Sequence, residues 1–145
     1  MKRIIALALS IVTFILCSGV SVFAATSTES EMVPYYNNTN SASVTFAISS
    51  TGKATFNLSC IGKSGVTTKI TAVSYIQRKV GLVWVKVDNG LDGKKWTDTV
   101  NGTNLKKSHS LQLSKTGTYR VKAEYTVYGS GGSEDVIEKV VTATY

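Results

Sequence analysis

KTGTYRVKAEYTVY, running from Lys115 to Tyr128, alternates. Tyr119, Val121, Ala123, Tyr125 and Val127 are apolar or aromatic, and Arg120, Lys122, Glu124 and Thr126 stand between them. Successive side chains of an extended backbone point to opposite sides, so a period of two marks a strand with one face in a core and the other in water. Gly117 and Thr118 form the approach to that strand, and Gly129-Ser130-Gly131-Gly132-Ser133 follows it as a flexible hairpin loop. The chain then returns from Asp135 to Tyr145 as a last strand whose apolar residues fall on both parities, which leaves its facing open.

Working upstream, the same pattern recurs. Leu105 to Leu113 reads as a strand with Lys106, Ser108, Ser110 and Gln112 facing water and His109 sharing the side of Leu105, Leu111 and Leu113. Trp96 to Val100 reads as a short edge strand, and Leu82 to Val87 as another, following a turn near Gly81 and carrying Trp84 as a large core or rim side chain. Lys69 to Lys79 is rich in β-branched and aromatic residues, but Ile70, Ala72 and Ile76 compete with Val73 and Tyr75 for the inward side, as in a strand covered on both faces or bearing a bulge. Ala54, Phe56, Leu58 and Cys60 form the inward set of one strand, and Ala42, Val44, Phe46 and Ile48 that of the strand before it, with Ser50-Thr51-Gly52 as the turn between. No amphipathic helix pattern appears in this region, so the expected class is all-β: an antiparallel sandwich of seven or eight strands over 42–145.

The N-terminal part is of another kind. Met1-Lys2-Arg3 is a basic head, Ile4 to Leu16 is almost wholly apolar, and Val22-Phe23-Ala24 places compact residues where a signal peptidase requires them. Residues 1–24 therefore read as a signal peptide cut after Ala24. The rival is an uncleaved membrane anchor over Ile4 to Ala25, the one membrane contact expected of this chain. Cys17 lacks the small preceding residue that a lipidation site needs. Residues 25–41 hold the only proline and many Ser, Thr and Asn without a period, and read as a flexible leader in which Tyr35 and Tyr36 tuck against the domain as a first turn, the rarer alternative being an aromatic contact for a ligand.

Sixteen basic and nine acidic residues give a net charge of +7, or +5 without Lys2 and Arg3. That mild bias suits contact with envelope polyanions, against the plainer reading of a solvated surface. Cys60 is the single cysteine beyond the signal segment, so no disulfide closes within the domain, and its apolar alternate neighbours make it a buried small hydrophobe rather than a reactive thiol.

The chemistry-bearing candidates are few. Asp88-Asn89-Gly90-Leu91-Asp92-Gly93 hints at calcium, yet a glycine and Thr99 stand where oxygen ligands are needed, and Asn89-Gly90 is itself a turn signal. His109 is the only histidine and has no nucleophile turn or metal-ligand spacing around it. The glycine run after Tyr128 lacks the lysine of a phosphate loop. Paired carboxylates for glycoside hydrolysis exist among Asp88, Asp92, Asp98, Glu124 and Glu138, with nothing in their spacing to bring them together. The expectation is a non-enzyme without cofactor or metal.

Two stretches carry a resemblance. Gly117-Thr118-Tyr119 resembles the corner at the start of strand F in immunoglobulin-like sandwiches, where a tyrosine hydroxyl bonds back to upstream backbone. Phe56-Asn57-Leu58-Ser59-Cys60 is similar to their second strand, but the position of the usual disulfide partner, two residues after the corner tyrosine, is Val121. With the export signal and the Ile76-to-Trp84 stretch, the chain resembles small secreted immunoglobulin-like or fibronectin type III-like proteins of Gram-positive, clostridial-type bacteria, many of unassigned function. The resemblance implies Tyr119, Val121, Phe56, Leu58 and Cys60 as structural residues, a secreted or envelope-associated location and an accessory role. The leading expectation is a binding or structural module that meets an envelope protein, glycan or polyanion, with no nucleic acid. The alternatives are a carbohydrate-binding module stacking sugars on Trp96, Trp84 or Tyr128, and a bacteriocin-like secreted antagonist.

Overall fold

A computed structural model describes residues 27–32 and 36–145; the expected signal peptide lies outside them. Nine strands are found among the described residues: β1 (Ser27–Met32), β2 (Thr39–Ile48), β3 (Lys53–Gly62), β4 (Thr67–Val80), β5 (Val83–Lys86), β6 (Trp96–Val100), β7 (Asn104–Gln112), β8 (Thr118–Gly129) and β9 (Asp135–Thr144). The eight strands read from 42–145 correspond to β2 through β9. The ninth, β1, falls in the stretch read as a leader and pairs antiparallel with β2, Ser27 opposite Phe46 and Met32 opposite Ser41. Its sequence, STESEM, shows no apolar alternation; the signal that locates it is the edge β2 presents, which no local pattern reveals.

The strands form two antiparallel sheets in a sandwich-like all-β fold. One has the order β1-β2-β3-β7; the other has β5-β4-β8-β9, with β6 also on β4. β5 pairs with Gln77 to Val80 and β6 with Ile70 to Ser74, so the two share one edge of β4 in succession. The inner faces meet in a single core that includes Val44, Phe46, Phe56, Leu58, Ile70, Ile76, Tyr125 and Val127. All five apolar residues of the β8 alternation, Tyr119 through Val127, are buried, and so is Cys60, as a free thiol. Burial pushes that thiol up to about 12, with the charge of Asp135 adding to the effect.

The open facings resolve at a bulge and at two charges. Pairing of β4 with β8 shifts register between Thr67 and Lys69. Beyond that bulge Ile70, Ala72, Ser74 and Ile76 point inward, while Val73 and Tyr75 lie half-buried on the outer face. In β9 the inward parity is Asp135, Ile137, Lys139, Val141 and Ala143, with Val136 outside. Two charged side chains thus occupy core-facing positions, which is why hydrophobicity alone left this strand ambiguous.

Asp135 has a structural reason to be buried. Its carboxylate accepts the backbone N–H of Asn37 at 2.9 Å, the N–H of Asn38 at 2.7 Å and the hydroxyl of Thr39 at 2.8 Å. Asn38 in turn donates to the Ser133 carbonyl at 2.8 Å and accepts from the Gly131 N–H at 3.1 Å. The network ties the chain ahead of β2 to the β8–β9 hairpin. Glycine is required there, because a Cβ on Gly131 would stand 2.4 Å from the Asn37 carbonyl oxygen and one on Gly129 equally close to that of Val66. The run read as a flexible loop is thus a close-packed contact at its first residues.

Tyr119 donates its hydroxyl to the Lys115 carbonyl, four residues upstream. The bond pins the chain where it turns into β8, and burial raises the phenol above its ordinary range.

Candidate ligand face

Register determines which side chains share the outer face of the larger sheet. Gln77 stands opposite Lys86 on β5 and Arg120 on β8, Lys79 opposite Trp84, and Tyr75 opposite Lys122. These residues have outward parity on three neighbouring rows, so they form one surface.

Within it the cations lie on the rings. Arg120 donates from Nε to Gln77 Oε1 at 2.8 Å, and its guanidinium carbon sits 4.3 Å from the centre of the Trp84 ring. Lys86 Nζ lies 4.3 Å from the centre of the Tyr75 ring. At the other end of β4, Lys69 Nζ lies 4.1 Å from the centre of Tyr128. Lys122 pairs with Glu138 at 2.5 Å, and that bond to the carboxylate, ahead of other influences, raises the lysine further above its ordinary range. Each ring fixes a cation from one side through its quadrupole and leaves the remaining N–H donors turned to solvent. At about 3.3 Å per residue, Lys69 and Lys79 stand some 33 Å apart along β4. The face offers a track of held positive charges with aromatic sides, suited to an extended anionic chain rather than to one small ligand.

Compared with protein-family models, with curated proteins and with solved structures, the chain matches none.

Of the three ring residues singled out in the sequence, Trp84 and Tyr128 lie on this face, each half-buried with a cation on its ring. Trp96 lies elsewhere. It points inward from β6, stacks on His109 with ring centres 5.4 Å apart, and meets the edge of Phe56 at 5.1 Å. His109 Nε2 is 2.6 Å from Asp98 Oδ2, with both side chains mostly buried. Because β6 belongs to one sheet and β7 to the other, this cluster clasps the two layers along an open side of the sandwich. The sequence placed His109 on its correct side and half-buried; the carboxylate partner, eleven residues away, needed the register of both strands to appear.

The Asp88–Gly93 segment caps itself. Asp88 accepts the Gly90 N–H at 2.9 Å, Asn89 accepts the Leu91 N–H at 3.1 Å, and Lys94 approaches Asp88 at 3.8 Å. An open groove of about 310 Å³ lies between β5 and the β7–β8 turn, lined by residues that include Val85, Asp88, Leu113, Lys115 and Tyr119.

What sequence reasoning missed on the outer face is Arg120, Lys86, Tyr75 and Gln77. They come from three strands, and only the pairing register brings them together. The one local sign was the unusual density of Lys, Arg and aromatic residues on the outward parity of β4 and β8.

Proposed function

We propose that the protein is a secreted, non-catalytic binding module of the immunoglobulin-like type, acting at or near a bacterial cell envelope and taking an anionic polymer on the Trp84–Arg120–Tyr75–Lys86 face. The observation that carries this reading is the set of cations held on rings across β4, β5 and β8, which combines charge with flat apolar sides. The immunoglobulin-like assignment is supported by strand order: β2-β3-β7 opposite β4-β8-β9 follows the A-B-E and C-F-G layers of that fold. The bond from Tyr119 to the Lys115 carbonyl supports it further. Export rests on the N-terminal signal read from the sequence.

The test is calorimetric titration of the protein with a soluble glycerol-phosphate polymer, with a neutral glucan as control. The polymer binds, the affinity falls as salt is added, and the double variant Arg120→Ala, Lys86→Ala binds at least about tenfold more weakly, as expected for losing two ring-held cations. Equal binding by wild type and double variant would overturn the assignment of the face. Salt-independent binding of the glucan would favour the sugar-stacking alternative in its place.

A further inference from the structure

We infer a second contact surface, centred on Leu82 and adjoining the polymer face at Trp84 and Lys86: the tip of the β4–β5 hairpin enters the headgroup region of an anionic lipid bilayer. The tip is built for protrusion. Val80 pairs with Val83, leaving Gly81 and Leu82 as a two-residue turn. Gly81 has a φ of 60°, the arrangement of a hairpin with glycine at the first central position. The last pairing of β4 with β8 is Arg78 opposite Tyr119, so Lys79, Val80 and the whole turn extend past the sheet that supports them.

Apolar side chains gather at this unsupported end. Leu82 is 97% exposed at the apex, Val80 48%, Val83 59% and Val85 50%. Arg78, Val80, Val83 and Val85 share one side of the hairpin, and Lys79, Trp84 and Lys86 share the other. A folded chain gains nothing by turning its most exposed leucine into water, and an apolar knob set in cations has a definite complement. That complement is apolar below and negative above. Leu82, Val80 and Val83 reach the acyl boundary, Trp84 lies at headgroup level where indoles collect, and Lys79 and Lys86 face the lipid phosphates, while Arg78 on the other side is held by the Thr116 carbonyl at 2.9 Å. Asp88 is the nearby acidic group, and it is drawn toward Lys94 at 3.8 Å.

A second copy of the chain suits the surface less well, because a two-fold contact through the hairpin would set Lys79 and Lys86 against their own counterparts.

Co-sedimentation with vesicles tests the proposal, using equimolar phosphatidylglycerol and phosphatidylcholine against phosphatidylcholine alone. The protein partitions to the anionic vesicles only, less so with added salt, and Leu82→Asp lowers the partition by about tenfold or more, as expected from withdrawing one leucine from an apolar medium. Leu82→Trp raises it. The urea unfolding midpoint of Leu82→Asp matches that of wild type, which reports that the variant is folded, and its binding of the soluble glycerol-phosphate polymer is unchanged, which separates Leu82 from the face above. Absence of wild-type partition, or a partition that Leu82→Asp leaves intact, overturns the proposal. So does concentration-dependent dimerisation that Leu82→Asp abolishes in the absence of vesicle binding, since the tip is then a protein contact.

Discussion

Replacing Asp135 should destabilise the fold far more than its place at the start of a strand suggests. The side chain is 4% exposed and accepts three hydrogen bonds, two of them from backbone N–H groups. Hydrogen bonds to a charged acceptor contribute about 1.5–3 kcal/mol each. Asp135→Ala would leave three donors facing a small void, into which one water could enter and satisfy part of the demand. The net loss is then about 3–4 kcal/mol, a large share of the 5–15 kcal/mol typical of a domain. Asp135→Asn keeps one acceptor oxygen but turns an amide nitrogen toward other donors, and should lose about 2 kcal/mol. Urea unfolding read by fluorescence measures both, with exposed Glu134→Ala as a control expected within about 0.5 kcal/mol of wild type. Amide exchange at Asn37 and Asn38 should quicken in the alanine variant. A loss below about 1 kcal/mol for Asp135→Ala would refute the reasoning, since the carboxylate would not be holding the chain ahead of β2.

Four other outcomes follow from the structure. Ser74 is fully buried and its Oγ has no hydrogen-bond partner among the described residues, so Ser74→Ala should raise stability by up to about 1 kcal/mol, measured by the same unfolding curves. Burial raises the Cys60 thiol to about 12 from 9.0 and the Tyr125 phenol above its ordinary 10.0. Both groups ionise first in the unfolded chain, so their stabilisation is complete below about pH 9 and is lost as pH climbs from there toward 12; urea midpoints that stay level between pH 8 and pH 11 would contradict this. His109→Ala removes the partner of Asp98 and the ring stacked on Trp96, and should cost about 2 kcal/mol while leaving polymer binding unchanged. Cys60 lies beside Tyr125 and Asp135, and Asp135 pairs with Val127 at the far end of β8 from Val121, so Val121→Cys should leave two free thiols under oxidant, counted after denaturation; a bond between them would contradict this register.

The strands were legible where burial enforces a period of two. β8, β3 and β2 could be read from their alternation because each keeps one face wholly in the core, and a slip of one residue would invert every side chain. β4 resisted because a bulge at Thr67–Lys69 and large outward residues such as Tyr75 blur its parity. β9 resisted because Asp135 and Lys139 take inward places while Val136 and Val140 lie on the outer parity. β1 was invisible for a different reason: a polar edge strand is held by its neighbour's backbone groups and need carry no pattern of its own. The same logic divides the candidate site. Trp84 and Tyr128 could be singled out as rings, but the cations resting on them come from other strands or from across a register that no single stretch encodes.

β4 carries one further consequence. Its fourteen residues hold two separate short strands end to end on one edge, and Val87 N–H still bonds to the Ile76 carbonyl at 2.9 Å where the first of them stops. The connection through Gly90 and Gly93 is exposed and interrupts neither set of pairings. Foreign peptide spliced there would hang from a seam between two independently anchored hairpin arms, making this the natural mounting point for a displayed epitope or a reporter tag.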